Sequence, residues 1–323
     1  MRAARTLTLE STVIVEVPEP VCGPGDVVCR VLATATCGSD VHGWYVTRKL
    51  PAVLGHEPVG EVVETGAGVE RVAVGDLVAI HHHAACGACR VCAAGHKTLC
   101  PQFRSTALDP GGFADYVRVQ PELVGELLPL DGLDPVAATC TEPLGCALRA
   151  QDRVALAPGD TLLVVGAGAS GLLHVAAARA RGVERVLVAE PRAERRARAI
   201  AWGAEPADGA AADVAIVTSH HREAIAAAAA ALGPGGRLCA YAPPEPGAPI
   251  AVDGADVFLR ELTVTSSWSA GAADMRAALA LLRDGAVPVD ELITHRFGLE
   301  DTGAALAAQR DGTALKAVVL PGG

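Results

Sequence analysis

Four closely spaced cysteines give the clearest chemical signal in this chain of 323 residues. They stand in the sequence C-G-A-C-R-V-C-A-A-G-H-K-T-L-C, with gaps of two, two and seven residues. Thiolates at this spacing can surround one zinc ion tetrahedrally and leave no coordination position for a substrate. We therefore predict a structural zinc site, the alternative being a cluster of free or disulfide-bonded cysteines. The predicted ligands are Cys86, Cys89, Cys92 and Cys100.

A second group of potential metal ligands is spread over three separate motifs. These motifs read C-G-S-D-V-H from Cys37, G-H-E from Gly55 and C-T-E-P from Cys140. Cysteine, histidine and carboxylate side chains are ligands that zinc takes, and three of them with one exchangeable position define a catalytic site. Each residue also has a purely structural explanation, because a lone buried cysteine usually acts as a small hydrophobic residue. The spacing by itself leaves both interpretations open.

A glycine-rich segment follows the apolar run that ends at Val165. It reads G-A-G-A-S-G, and an acidic residue, Glu190, follows nineteen positions after its last glycine. Between a strand and a helix, Gly166 permits a tight turn, Gly168 lets a pyrophosphate approach the backbone, and Gly171 lets helix and strand pack closely. The phosphates would then contact the free N–H groups at the helix start, and Glu190 would accept hydrogen bonds from the ribose; an ordinary glycine-rich turn is the alternative. The predicted dinucleotide-binding residues are Gly166, Gly168, Ala169, Ser170, Gly171 and Glu190.

The elements that must position these residues differ between the two halves of the chain. In the first half, glycine and proline separate short β-rich runs such as Val27–Leu32, Gly60–Glu64 and Asp76–Ile80, which predicts a small β-barrel or sandwich. From about Gly159, apolar strands alternate with helices, which predicts a parallel, doubly wound sheet. The predicted strands are Thr161–Val165, Arg185–Glu190, Asp213–Thr218, Gly236–Tyr241 and Leu262–Ser266, and the predicted helices cover residues 170–181, 192–202, 222–232 and 272–284.

Two further segments bear on the organisation of the chain. The stretch Glu205–Ala212 is too short for a complete crossover, so one crossover is expected to be trimmed. After Gly285 the chain becomes β-like again at Val287–Phe297 and Ala317–Leu320, and we expect this tail to return to the first domain. The boundaries predicted from these changes are 1–150, 151–284 and 285–323.

The overall charge and hydropathy restrict the class of partner. A net charge of −10 argues against a nucleic acid or an anionic membrane. The most apolar long stretch, Thr161–Ala180, contains glycines and a histidine and is better explained as a strand, a turn and a helix than as a membrane span. Residues 1–17 lack the layout of a secretory signal. We therefore expect a soluble cytoplasmic protein that binds a small molecule and uses its cysteines in reduced form.

Nearly the whole chain resembles the zinc-dependent medium-chain dehydrogenases/reductases, the alcohol dehydrogenase superfamily. The resemblance rests, in order, on the motifs P-G-D-V-V-C-R-V, C-G-S-D-V-H, L-G-H-E, V-G-D-L-V, the four-cysteine lobe, G-G-F-A-D-Y, E-P-L and V-V-G-A-G-A-S-G. It is closest to the sorbitol (polyol) and threonine dehydrogenase branch, where the second motif and E-P-L occur together. It implies a GroES-like β-barrel catalytic domain formed by residues 1–150 and 285–323, with the zinc lobe at 86–100. It also implies a Rossmann domain at 151–284 and assembly into a homodimer or homotetramer.

The same resemblance implies the ligands of a catalytic zinc. Cys37 and His56 would bind the ion, and Glu57 and Glu142 would share the remaining positions, with a water molecule allowed between one of them and the ion. Which of the two glutamates binds directly stays open. Two cysteines near Glu142 could substitute as ligands, Cys140 and Cys146.

The resemblance also implies supporting roles for other polar residues near these motifs. Asp40 would orient His56, as metal-bound imidazoles generally require. Ser39 and His42 match the family's proton relay. The triplet His81–His83 stands beside a lobe that already has four thiolates, so we expect its residues to be exposed at the end of a strand.

The implied reaction is the reversible oxidation of a secondary alcohol to a ketone, with hydride transfer to nicotinamide and zinc as a Lewis acid. Glu190 favours NAD, because its carboxylate would repel the 2′-phosphate of NADP. Arg195 matches a position where the family places a basic residue near the adenosine, and Arg192 could bind a 2′-phosphate. We predict a preference for NAD of at least about tenfold.

Two alternatives to an NAD-dependent polyol, amino alcohol or cyclitol dehydrogenase stay open. One is a biosynthetic NADPH-dependent carbonyl or iminium reductase on the same scaffold, and the other is a non-catalytic, cofactor-binding redox sensor. The complete proton relay argues against the sensor. The segment Gly43–Leu54 is shorter than the polyol dehydrogenases lead us to expect, so the resemblance does not identify the substrate.

Overall fold

The computed structural model describes residues 1–207 and 209–322 and divides into two compact units. The first unit comprises Met1–Glu142, Gly271–Asp284 and Pro288–Gly323, and the second comprises Pro143–Ala270 and Gly285–Val287. The tail from Pro288 onwards therefore joins the first unit, and the helix predicted at residues 272–284 belongs to that unit as well. The boundaries at residues 150 and 284 stay predictions from the sequence.

The first unit is built mainly from β-strands. One sheet has the order β2-β1-β4, and a larger sheet has the order β15-β16-β3-β5-β6-β8, with β7 also paired to β3. The strands of this unit are β1 Arg2–Thr8, β2 Ser11–Glu16, β3 Val27–Ala35, β4 Ala52–Val53, β5 Glu57–Thr65, β6 Leu77–Ile80, β7 Tyr116–Val119, β8 Leu127–Pro129, β15 Ile293–Gly298 and β16 Lys316–Leu320.

Strand β3 is the organising strand of the larger sheet. Its antiparallel register with β5 places Ala35 opposite Glu57, and its register with β16 places Ala35 opposite Val318. The C-terminal end of β3 therefore lies between the first residue of β5 and the middle of β16. A buried apolar cluster supports this arrangement and includes Val27, Cys29, Val31, Val62, Val78, Ile80, Val117 and Leu127.

The second unit contains a parallel sheet with the order β11-β10-β9-β12-β13-β14. Its central strands are almost wholly apolar and buried, as parallel sheets require. Strand β11 is only two residues long, and no helix lies between it and β12 in the described part of the chain, so the crossover is trimmed as predicted. The strands are β9 Thr161–Val165, β10 Arg185–Ala189, β11 Glu205–Pro206, β12 Ala212–Val217, β13 Leu232–Ala240 and β14 Thr263–Ser266.

The helices are short in the first unit and longer in the second. None of those in the described chain has the length and apolar character needed to cross a membrane. In chain order they are α1 Gly43–Thr47, α2 Arg90–Ala93, α3 Pro101–Ser105, α4 Pro121–Val124, α5 Pro135–Ala138, α6 Thr141–Arg153, α7 Ala169–Ala180, α8 Ala193–Ala201, α9 Arg222–Ala230, α10 Gly254–Leu259, α11 Ala272–Arg283, α12 Val289–Leu292 and α13 Thr302–Asp311.

One predicted β segment is only partly extended. The sequence predicts β structure over Val287–Phe297, whereas Val289–Leu292 forms a helical turn and the strand begins at Ile293. Pro288 stands just before this turn, where its missing N–H leaves no helical hydrogen bond unmade. The remainder of the segment pairs with β16 in parallel, so the tail completes the sheet of the first unit.

Candidate functional site

Three potential metal ligands converge at the edge where β3 and β5 meet. Cys37 lies two residues after β3, and His56 immediately precedes β5, whose first residue is Glu57. One potential ligand atom from each of the three residues lies within 4.8 Å of the others. A thiolate, an imidazole and a carboxylate form a donor set that suits zinc.

Asp40 connects two of these ligands. One carboxylate oxygen accepts a hydrogen bond from the Cys37 backbone N–H at 3.0 Å, and the other lies 3.3 Å from His56 Nδ1. Burial opposes both charges, but the attraction between Asp40 and His56 is stronger, and Cys37 also attracts the imidazolium. The pKa of Asp40 is therefore lowered, and the pKa of His56 is raised well above its usual value. Asp40 therefore orients the ring, as predicted for a residue behind a metal ligand.

Ser39 and His42, the residues of the predicted relay, lie on the same short segment. The Ser39 hydroxyl oxygen lies 3.4 Å from His56 Nε2. His42 stands at the start of α1 and packs edge-on against Trp44, with 5.9 Å between ring centroids. The fold thus brings Ser39 to the ligand cluster and sets His42 three residues further along the chain.

Glu142, the second carboxylate proposed to share the metal, lies close by but outside the group of three. It is buried at the start of α6 and lines the same small pocket as Glu57. Neither Cys140, which is buried, nor Cys146, which is partly buried, belongs to the group. Burial raises the pKa of the Cys140 thiol to about 12, which opposes formation of a thiolate there.

The four cysteines of the lobe also come together. Their sulfur atoms are separated by 3.6 Å between Cys89 and Cys92, 3.8 Å between Cys89 and Cys100, and 3.5 Å between Cys100 and Cys86. All four are free thiols, which contradicts the disulfide alternative. The Cys86 backbone N–H donates to Cys100 Sγ at 3.4 Å, which helps to lower the pKa of that thiol to about 6.

The glycine-rich turn has the close packing that its sequence predicts. Gly166 adopts a φ of +96°, and a Cβ atom on Gly171 would lie only 1.9 Å from the Gly166 carbonyl oxygen. A Cβ atom on Gly168, in contrast, would meet nothing closer than Arg195 Nη1 at 3.7 Å. The backbone conformation and the packing therefore explain why glycine is required at positions 166 and 171. At Gly168 there is room for a ligand to approach the backbone.

Glu190 is fixed beside this turn. Its carboxylate accepts hydrogen bonds from the backbone N–H groups of Ala167 and Arg192, each at 2.8 Å. Arg195 lies on α8, and burial together with the charge of Arg192 lowers the pKa of its guanidinium. Ala169 and Ser170 begin α7, so their N–H groups lie at the helix N-terminus as predicted.

Comparisons with known proteins agree with this geometry. A family model described as "Alcohol dehydrogenase GroES-like domain" matches residues 23–129, and one described as "Zinc-binding dehydrogenase" matches residues 169–284. L-threonine 3-dehydrogenase of Streptomyces avermitilis is 33% identical over 330 residues, which cover 95% of each chain. Sorbitol dehydrogenase of Bacillus subtilis is 30% identical, and the match covers 99% of this chain and 97% of that protein.

The chain belongs to the zinc-binding alcohol dehydrogenase family. A solved structure from Sinorhizobium meliloti 1021, assigned as a zinc-binding dehydrogenase and bound to NADP, has a TM-score of 0.88 and 27% identity, with 99% of each chain covered. The predicted family and the predicted fold class, a GroES-like domain with a Rossmann domain, are thereby confirmed. The prediction that the chain is an enzyme is confirmed as well.

This dehydrogenase contains a buried ion pair that the sequence analysis missed. Lys316 Nζ lies 2.5 Å from a carboxylate oxygen of Glu57 and donates a hydrogen bond to the Thr36 carbonyl oxygen at 2.9 Å. Both charged residues are at most 3% exposed. Burial raises the pKa of Glu57 to about 7 although Lys316 opposes this, and the charge of Glu57 outweighs burial and raises the pKa of Lys316. The sequence does contain a signal for this ion pair. Lys316 stands inside the apolar run A-L-K-A-V-V-L, and a lysine is rarely buried unless it is paired.

The prediction for the histidine triplet of the dehydrogenase is wrong. His81 is only 1% exposed, and His82 and His83 are partly buried. The cause is tertiary packing, since Phe103 on α3 covers the triplet and contacts the rings of His81 and His83. Burial lowers the pKa of His83 to about 3 and that of His82 well below its usual value, and neighbouring positive charges act in the same direction.

Proposed function

We propose that this dehydrogenase interconverts a secondary alcohol and its ketone, with NAD as the hydride carrier. The observation that carries the proposal is the convergence of Cys37, His56 and Glu57 within 4.8 Å, next to the carboxylate of Asp40. Such a cluster, with a hydroxyl group beside it, is suited to activating an alcohol.

The same donor set supports a catalytic zinc in addition to the structural one. Cys37, His56 and Glu57 would hold the catalytic ion, with Glu142 as the alternative or additional carboxylate. The four thiolates of the lobe would hold the second ion, which gives two zinc ions per chain. When bound, the catalytic ion supplies Lewis-acid chemistry that lowers the pKa of an alcohol hydroxyl group.

The protein side chains orient the ligands and move the proton. Asp40 accepts a hydrogen bond from His56 Nδ1 and thereby leaves Nε2 for the metal side. Ser39, at 3.4 Å from that nitrogen, is positioned to accept the proton of the alcohol, and His42 would pass it towards bulk water. Lys316 forms an ion pair with Glu57 at 2.5 Å and thereby restrains that carboxylate.

The dinucleotide turn supports NAD rather than NADP. The space above Gly168 and the N–H groups of Ala169, Ser170 and Gly171 would receive the pyrophosphate. Glu190 is held in place by two backbone N–H groups, so its remaining lone pairs can accept hydrogen bonds from the ribose while its charge repels a 2′-phosphate. The NADPH-dependent reductase is the second candidate, because Arg195 lies above the same turn and a solved relative is bound to NADP.

The names of two relatives support the class of substrate. Threonine and sorbitol are both alcohols with polar groups on neighbouring carbon atoms, and they are the substrates named for proteins that are 33% and 30% identical to this chain. We therefore propose a polyol, an amino alcohol or a cyclitol-like molecule as the substrate. A cytoplasmic location is part of the proposal, because reduced thiols are required for the four-cysteine site.

A homodimer or homotetramer is also proposed. Strand β14 is an edge of the parallel sheet, and the preceding helix α10 carries two strongly exposed apolar residues, Phe258 and Leu259. An unpaired strand edge beside apolar side chains is a surface on which a second copy can pack.

The proposed reaction can be tested with a panel of polyols, amino alcohols, cyclitols and simple secondary alcohols, scored by NADH formation. We expect turnover of at least one class, its loss when the catalytic metal is removed by a chelator, and its return when zinc is added. A His56→Ala variant should retain its fold and lose turnover, whereas His295→Gln, outside the cluster, should behave as the wild type. Full activity of His56→Ala would refute the assignment.

A further inference from the structure

Helix α1 and the two residues after it carry a compact group of two aromatic rings and two cations. The rings of Trp44 and Tyr45 lie edge-on to each other, with 5.5 Å between centroids, and His42 of the proposed relay packs against Trp44. The guanidinium carbon of Arg48 lies 5.2 Å from the centroid of the Trp44 ring, and Lys49 Nζ lies 4.9 Å from that of Tyr45. Aromatic rings attract cations at these distances. The two rings therefore restrain two positive charges beside the relay.

The charge of Lys49 reaches the proposed metal site. Burial raises the pKa of Asp40, but the charge of His56 and, more weakly, that of Lys49 lower it. The ring of His82 lies 5.1 Å from that of His56, and burial is the main cause of its lowered pKa, to which the charge of Lys49 contributes. An alcohol held beside His56 is therefore within the electric field of this lysine.

No carboxylate neutralises the two cations in the part of the chain that the structure describes. Arg48 and Lys49 are exposed, and neither forms an ion pair with another described residue. Asp40, on which the charge of Lys49 acts, instead accepts a hydrogen bond from the Cys37 backbone N–H and pairs with His56 at 3.3 Å. Both positive charges are therefore available to a ligand.

The indole of Trp44 supplies a second, independent indication of a ligand. Its N–H group is buried and has no hydrogen-bond partner among the described residues. A donor in this state costs free energy, and native proteins usually complete it with water or a ligand. Indole, guanidinium and ammonium groups all donate hydrogen bonds and accept none, so the partner that suits all three is an oxyanion. A chain with a net charge of −10 otherwise repels anions, which makes a local pair of cations selective for them.

We propose that Trp44, Arg48 and Lys49 form an anion-binding site that receives a carboxylate or phosphate group of the alcohol substrate. The substrate class is then a hydroxy acid or a phosphorylated polyol, and a neutral alcohol with the same carbon skeleton is a poorer substrate. This inference rests on the proposed function and deepens it.

The test compares alcohols that differ only in an anionic group. For the carboxylate, 3-hydroxybutyrate is paired with 3-hydroxybutanamide, and for the phosphate, sorbitol 6-phosphate is paired with sorbitol. The quantity measured is the ratio of kcat/KM for the anionic compound to kcat/KM for the neutral one, at constant ionic strength. In a pair whose anionic member the wild type prefers, Lys49→Gln and Arg48→Gln should each lower this ratio about tenfold. Trp44→Phe keeps the ring and removes only the N–H donor, so it should lower the ratio by a smaller factor.

The matched control is Lys97→Gln, the same change at an exposed lysine on the 3₁₀ turn Lys97–Leu99, which should leave both ratios unchanged. The zinc content and the KM for NAD should equal those of the wild type in every variant. Wild-type ratios at or below one for both pairs, or equal ratios in the wild type and Lys49→Gln, would overturn the proposal. A raised KM for NAD in Lys49→Gln would assign this cation to the coenzyme and overturn it as well.

A binding measurement separates this proposal from the proposed reaction. Sulfate is the probe, titrated calorimetrically into the protein loaded with zinc and NAD. We expect Lys49→Gln to weaken sulfate binding about tenfold and Lys97→Gln to leave it unchanged. If the wild type oxidises no alcohol, the proposed function is refuted, and sulfate binding alone then decides on the anion site. Equal sulfate affinity in the wild type and Lys49→Gln would refute that site.

Discussion

Glu57 and Lys316 place two opposite charges in the interior of the first unit, and Glu57 is also one of the potential metal ligands. Removing one partner of such a pair leaves an uncompensated buried charge, which typically costs about 3–5 kcal/mol. We expect Lys316→Met to lower the free energy of unfolding of the chelator-treated protein by about that amount, as measured by urea denaturation. Lys316→Arg keeps a positive charge at this position, so its free energy of unfolding should fall by less.

An exposed ion pair provides the control for this prediction. Arg30 and Glu61 pair on the surface of the same unit, and surface pairs contribute about 0–1 kcal/mol. Arg30→Met should therefore change the free energy of unfolding only slightly. Equal effects of Arg30→Met and Lys316→Met would show that the interior pair contributes no more than a surface pair.

Glu190 carries the prediction for the coenzyme. A carboxylate near the 2′-position of the adenosine ribose repels a phosphate there, and about 1.4 kcal/mol corresponds to each tenfold change in preference. We expect the wild type to prefer NAD over NADP by at least about tenfold in kcat/KM, and Glu190→Ala to narrow this ratio. The control is Glu194→Ala, in the first turn of α8, which should keep the ratio. A wild type that prefers NADP would make Arg192 the main determinant and favour the reductase.

For individual residues, the sequence predicts the role of those that belong to a motif better than the role of those that come together only when the chain folds. The family resemblance of their motifs predicts Cys37, His56, Glu57 and Glu142 as a group, and the structure brings the first three of them together. Lys316 and His82 could not be placed, because their positions depend on the register of β16 with β3 and on the packing of the segment after β6. No local pattern in the sequence specifies either relation.

The four-cysteine lobe is the element whose stability we expect to depend most directly on the proposed zinc. It contains only the short helix α2 and a 3₁₀ turn at Lys97–Leu99, so it has few apolar residues to hold it together. A closed thiolate site contributes folding free energy. We expect Cys92→Ser to lower the melting temperature while turnover per folded molecule stays close to that of the wild type, and Cys22→Ser, outside any cluster, to change neither. Loss of activity at unchanged stability would reverse the assignment of the two metal sites.

Helix α7 contains a buried histidine that makes the second unit sensitive to acid. His174 packs edge-on against Tyr241, and burial lowers its pKa from 6.5 to about 3. In the unfolded chain His174 therefore binds a proton below about pH 6.5, whereas in the folded chain it binds one only below about pH 3. The stability that this residue contributes is complete above pH 6.5 and falls by about 1.4 kcal/mol per pH unit below it.

His174→Leu removes this titration and should flatten the decline in unfolding free energy between pH 6.5 and 4. The measurement is urea denaturation at several pH values, with His295→Gln as the control at a less buried position. Identical pH dependence in the wild type and His174→Leu would contradict the prediction.

Elements with strong hydrophobic patterns could be predicted closely from the sequence. The strand predicted at Thr161–Val165 has those bounds in the structure, and the helix predicted at residues 222–232 ends only slightly earlier, at Ala230. Short elements such as β11 and α2 could not be predicted, because two to four residues contain no measurable periodicity. Their conformations follow from pairing with a neighbouring strand or from the geometry of the cysteine cluster.

At the scale of the whole molecule, the prediction concerns assembly. Phe258 and Leu259 are 81% and 76% exposed beside the edge strand β14, and isologous packing of such a surface would bury it. We expect the wild type to be a dimer or a tetramer by light scattering, and Phe258→Asp with Leu259→Asp to shift it towards a smaller species. Val21→Asp, at an equally exposed residue of the first unit, should have no effect. A monomeric wild type would refute the proposed assembly.

The pairing of β3 with both β5 and β16 also determines the order in which a newly made chain can mature. Strands β3 and β5 leave the ribosome early, residues 143–270 follow, and β16 emerges only after them. Because domains generally fold as units during synthesis, the second unit can complete its sheet while Thr34 and Ala35 of β3 still lack their partners on β16. Glu57 also stays without Lys316 until that moment. The proposed metal site therefore acquires its last neighbour, Lys316, after the parallel sheet of the second unit has been able to form.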